Sequence, residues 1–253
     1  MSSEFMGKER PILTKAPIAV AILQMKFDMS DIDIAVFDKY DAEISRLFPH
    51  KKSTFAADID LPNTGLKVGP TTLTANSRAT GYVYFSSNQK TKLNLSEGTI
   101  TFTDEAEYKS WDEFKGNAFK CIDIFRDLLE RRIITRMSIR FINRFEFMSF
   151  DDPSRYFRML ISTAHGTDAL SYPVSKFSFK VNFNIDEDSY AIVSHDMTEV
   201  GGKSIYFLDI DTLYRCNSIF EPEFISSSYN RLKNIEDDIF FGNITEETLE
   251  LCR

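Results

Sequence analysis

The stretch 133-IITRMSIRFINRFEFM-148 alternates along its whole length. Met137, Ile139, Phe141, Asn143, Phe145 and Phe147 fall on one side of an extended chain. Arg136, Ser138, Arg140, Ile142, Arg144 and Glu146 fall on the other. Successive side chains of a strand point to opposite faces, so this pattern predicts one long strand with one covered and one polar face. Antiparallel sheets carry this signature, with helices on the covered side.

The flanking segments agree. Upstream, 110-SWDEFKGNAFKCIDIFRDLLERR-132 reads as a long helix capped by Ser110. Asp112 and Glu113 sit in its first turn and Arg131 and Arg132 at its end, as the helix dipole favours. Downstream, 176-KFSFKVNFNI-185, 189-SYAIVSHDM-197 and 204-SIYFLDIDTLYR-215 read as three strands joined by turns. A last long helix spans roughly 222–241, with Ile225, Tyr229, Leu232, Ile235 and Ile239 as its apolar stripe, and a short one begins after Thr245. A short helix is expected over 153–163.

The first part of the chain has the same order. Residues 16-APIAVAILQMKFD-28 read as a buried strand, and 30-SDIDIAVFDKYDAEISRLFP-49 as an amphipathic helix capped by Ser30 or Asp31. Strands follow at 53–60, 71–78, 80–87, 91–96 and 98–103, with a loop at 61–70. The expectation is an α+β fold in two similar halves, 12–132 and 133–253, each running strand, helix, antiparallel strands, long helix. Two antiparallel sheets, each with helices on one face, would satisfy it. By analogy the order is that of TATA-binding-protein-like or helix-grip folds, which says nothing about chemistry.

Composition narrows the function. The chain has 253 residues, enough for one large domain or two small ones. It holds 23 Phe against one Trp, which favours a sheet-rich core. A net charge of −8 argues against a duplex-DNA binder, whose affinity needs a concentrated basic patch. Cys121, Cys216 and Cys252 are far apart, which excludes a zinc ribbon or a thioredoxin motif, and their odd count argues against a disulfide framework. There is no apolar run of about 18 residues and no signal-peptide core, so a cytoplasmic protein off the membrane is expected. Residues 1–5 look like a cloning scar and are set aside.

Several segments together resemble an uncharacterised prokaryotic family: 16-APIAVAILQMKF-27, 139-IRFINRFEF-147, 208-LDID-211 and 239-IFFGNITEETLELC-252, with Gly98-Thr-Ile-Thr-Phe followed by Tyr108 and Trp111. That family is similar to this chain in length, sporadically distributed, and without an established activity. The resemblance implies horizontal transfer and a tie to mobile or defence loci. It supplies no catalytic residues.

Candidate sites are few. Asp209 and Asp211 point to one face of a strand that also carries Ile205 and Phe207. Two carboxylates are too few for a hard metal, and partners would have to come from Asp196, Glu199 or Glu146. The competing expectation is a strand end paired with Arg140 or Arg144. His195 beside Asp196 has the residue types for acid–base work, but neighbours on a strand face opposite ways. His165 precedes Gly166 in a turn. Arg136, Arg140 and Arg144 share one face and could bind an anionic ligand such as a nucleotide phosphate or an RNA backbone, or be consumed in ion pairs. No nucleophile motif or phosphate loop is present, no metal site is assigned, and no cofactor is called for.

Three functions follow as expectations. The first is a non-enzymatic scaffold that binds a protein partner. The second is a small-ligand or nucleotide-binding protein with a cavity between sheet and helix. The third is a metal-dependent hydrolase or nuclease using Asp209 and Asp211.

Overall fold

The computed structural model describes residues 10–11, 13–29, 33–58, 76–106, 108–147, 155–158 and 176–253. The strands are β1 (Ile18–Phe27), β2 (His50–Asp58), β3 (Asn76–Phe85), β4 (Thr91–Ser96), β5 (Thr99–Asp104), β6 (Ile133–Phe147), β7 (Lys176–Asn184), β8 (Ser189–Val200) and β9 (Lys203–Ile219). They form one nine-stranded sheet in the order β2-β3-β4-β5-β1-β6-β9-β8-β7. All neighbours are antiparallel.

The expectation of two sheets is therefore corrected to one. β1 and β6 pair with each other along most of their length, and each has a second neighbour, β5 and β9. Two separate sheets would have left a long apolar edge on each of these strands, and a bare edge is a liability. The strands of 12–132 lie on one side of the β1–β6 seam and those of 133–253 on the other.

Pairing in register puts Ala21 opposite Phe141, Leu23 opposite Ile139 and Met25 opposite Met137. All six are buried. Helix α2 (Trp111–Asp123) covers one end of this row, with Phe114 ring-to-ring at 5.9 Å from Phe141. Helix α4 (Pro222–Asn243) covers the middle, where the Tyr229 hydroxyl donates to the Gln24 carbonyl at 2.8 Å. Each large apolar side chain buried here contributes about 1.5–3 kcal/mol. Helices α1 (Asp41–Leu47), α3 (Arg126–Leu129) and α5 (Glu246–Leu251) bury Ile44, Leu129 and Leu249 in the same layer. Among the described residues, no helix packs on the opposite face of the sheet.

Two helices differ in detail from expectation. Residues Ile34–Tyr40 form a 3-10 helix, which then becomes α1. Its buried residues are Ile34, Phe37 and Tyr40, and that spacing of three matches a helix of three residues per turn. Asp33 caps it, accepting from Ala35 N at 3.0 Å. Leu47 is exposed, and Phe48 is buried in its place. The long helix expected over 110–132 breaks after Asp123, where Phe125 turns inward against Phe37 and Tyr40 at 5.5 and 5.0 Å. β3 runs unbroken from Asn76 where two strands were expected to meet. The expected loop at 61–70, most of the helix at 153–163, residues 1–5 and His165 lie outside the described residues.

Gly98 fixes the β4–β5 turn. Its φ is +62°, and a Cβ there would meet the Phe27 carbonyl oxygen at 2.4 Å. The turn thereby locks onto the end of β1, whose Phe27 N–H donates to the Gly98 carbonyl at 2.8 Å.

Candidate functional site

The face of the sheet without helices holds most of the candidate residues. β6 sends Arg136, Arg140 and Arg144 there, and β9 adds Asp209 and Asp211, as alternation required. Each arginine meets a different partner. Arg140 grips Asp209 with two parallel hydrogen bonds, Nε to Oδ1 at 2.8 Å and Nη2 to Oδ2 at 2.5 Å. This fork is the strong geometry for a guanidinium and a carboxylate. Arg144 pairs with Glu146 at 2.7 Å, and Lys203 reaches the same carboxylate at 3.4 Å. Arg136 donates to the Gln24 side-chain oxygen.

Asp209 is thus committed to Arg140, with 14% of its side chain exposed. Asp211 is different. Its Oδ1 is buried without a hydrogen-bond partner. Burial pushes its carboxyl up to about 6, against the pull of Arg140. The two aspartates are one ion-paired group and one poorly solvated group. Among the described residues, no three of His, Cys, Asp and Glu converge as metal ligands. Asp196, Glu199 and Glu146 do not complete such a set.

His195 points the other way, into the helix layer, while Asp196 points to the helix-free face. The imidazole is buried, with Nδ1 at 2.5 Å from the Tyr206 hydroxyl. Its ring stacks on Phe179 at 4.6 Å. Burial pushes its pKa down to about 4, so it is a neutral core side chain at pH 7. It borders a cavity of about 250 Å³ with Phe179, Val181, Phe183, Ile239 and Asn243.

A second charged cluster escaped the sequence. α4 buries a line through Leu232, Glu236 and Phe240, rather than through Ile235 and Ile239. Glu236 accepts from Lys233 Nζ at 3.1 Å, and Lys233 also holds Asp237. Burial pushes the Glu236 carboxyl up to about 7. Tyr108, Asn143, Ile18 and Phe240 join Lys233 and Glu236 around a cavity of about 220 Å³. Arg10 closes over it, bonding Asp237 at 3.0 Å and Asp238 at 2.7 Å. The available signal was spacing: Glu236 is four residues from both Leu232 and Phe240, on the buried line.

No family model, no curated protein and no solved structure matches the chain.

Two outcomes test this description. Asp209→Asn should lower stability by about 1–2 kcal/mol, read as a drop in thermal midpoint, because it removes a charge-assisted partner of half-exposed Arg140. A catalytic aspartate would instead leave the midpoint unchanged. His195 gives a pH signature. Its folded pKa, about 4, lies below the ordinary 6.5, so its contribution is full above pH 6.5 and is lost as pH falls toward 4. Thermal melts of His195→Gln over that window should show a shallower decline than those of the native chain.

Proposed function

We propose that this protein is a non-enzymatic interaction scaffold that receives a protein partner on the helix-free face of its sheet. The observation that carries this is the state of the candidate catalytic groups. Asp209 is forked to Arg140, and His195 is buried against Tyr206 and Phe179. Neither is poised for proton transfer or metal binding. What remains is the helix-free face of the sheet, with Lys26, Arg144, Glu146 and Arg215 exposed on it, and an antiparallel sheet can keep such a face open to water or to a partner.

In the same proposal, the chain belongs to the sporadically distributed prokaryotic family that its landmark segments resemble, works in the cytoplasm, and serves a mobile or defence locus with a neighbour-encoded partner. The strand order on either side of the β1–β6 seam supports a duplication: β1 is flanked outward by β5 and β4, and β6 by β9 and β8. TATA-binding-protein-like and helix-grip folds remain the analogies for that arrangement. No described helix is long and apolar enough to cross a membrane.

A second reading has its own observation. The cavity of about 220 Å³ beside Tyr108, Lys233 and Glu236 lies between sheet and long helix, where a small ligand would sit among apolar walls and a few polar anchors. The metal-dependent hydrolase or nuclease has the weakest support, since it requires Asp209 to leave Arg140.

Native mass spectrometry separates the first two. Protein purified gently from cells that carry its genomic neighbours should retain a second polypeptide. A small-molecule adduct without a polypeptide would favour the cavity and overturn the scaffold.

A further inference from the structure

Sheet pairing creates a line of charge that runs across strands. Lys26 on β1 is in register with Arg136 on β6, and Arg136 is in register with Arg215 on β9. In-register partners share a face, and adjacent strands lie about 4.8 Å apart. The line continues into Thr99 and Ser96, which are uncharged. Lys26 and Arg215 are exposed and Arg136 half-buried.

Like charges directly opposite each other on a sheet are destabilising. Arg136 has one on each side. Among the described residues, none of the three is ion-paired, in contrast to Arg140 with Asp209 and Arg144 with Glu146. Arg136 donates to neutral Gln24, and the Arg215 guanidinium lies 5.0 Å from the ring centre of Tyr190. The chain as a whole carries a net charge of −8, so this line runs against its surroundings. No described acid forms an ion pair with this row; Asp211, on the same face, feels Arg136 only at longer range.

We propose that the line Lys26–Arg136–Arg215 is the anchor of the docking face and takes an acidic segment of the partner protein, rich in Asp and Glu. This rests on the scaffold reading and names the partner's chemistry. A nucleic acid fits less well. The net negative charge repels a polyanion at long range, and single strands bind through exposed rings on which bases stack. The ring beside this row, Tyr190, is already covered by Arg215.

The probe is a fluorescent oligoglutamate peptide, followed by anisotropy at low and high salt. The native chain should bind it, and more weakly as salt rises. The double variant Lys26→Glu, Arg215→Glu should bind at least tenfold more weakly. Its thermal midpoint should hold or rise, because Arg136 gains an acid on each side. Arg136→Gln, a milder change, should also weaken binding. Lys120→Glu, on the exposed side of α2, should bind as the native chain does. Equal binding by the double variant, an equal loss in Lys120→Glu, or tighter binding of a single-stranded oligonucleotide each overturns the proposal. Its failure is distinguishable from that of the scaffold. If native mass spectrometry finds the double variant still holding the partner, only the anchor is wrong. If the native chain retains no polypeptide, the scaffold itself is wrong.

Discussion

The pairing of β1 with β6 is the constraint on which the rest depends. It joins what would otherwise be two sheets and aligns Ala21, Leu23 and Met25 with Phe141, Ile139 and Met137 in one apolar surface. Because side chains alternate, the same register fixes the opposite face, bringing Lys26 beside Arg136 and Ile22 beside Arg140. A slip of one residue would send the core side chains into solvent and the arginines into the core.

Helices then divide the molecule by chemistry. Their layer holds the aromatic core, the buried imidazole of His195 and the Lys233–Glu236 pair. A buried ion pair is weak support for stability, since desolvation offsets much of the attraction. The Glu236 carboxyl, pushed up to about 7, shows that offset. The other face keeps its charges near water, where pairs such as Arg144 with Glu146 contribute little. Among the described residues of that face, Asp211 keeps an oxygen without a hydrogen bond, and Lys26, Arg136 and Arg215 have no ion pair.

Much of this fold was legible. The alternation in Phe177–Phe183 and in Met137–Phe147 marked strands and faces correctly, and the spacing of Ile225, Tyr229 and Leu232 marked the buried side of α4. The pairing of Asp209 with Arg140 was among the expectations, but the strand register that produces it was not legible. Arg136, Arg140 and Arg144 looked like a row along one strand, yet Arg140 is consumed by Asp209, and the row that lacks acids runs across β1, β6 and β9. Register is a long-range property that no local pattern encodes. Glu236 was passed over because a charged residue on a helix is ordinarily exposed. The break at Phe125 had no Gly or Pro to announce it; the ring's packing against Phe37 and Tyr40 accounts for it.

The central claim is that the helix-free face is the working face. Lysine acetylation, compared between the free chain and its native complex and read by peptide mass spectrometry, tests it directly. Lys26 and Lys180 lie on that face, and Lys39 and Lys120 belong to the helix layer. The account predicts that the complex shields Lys26 and Lys180 and leaves Lys39 and Lys120 as reactive as before. Shielding confined to Lys39 and Lys120 would contradict it.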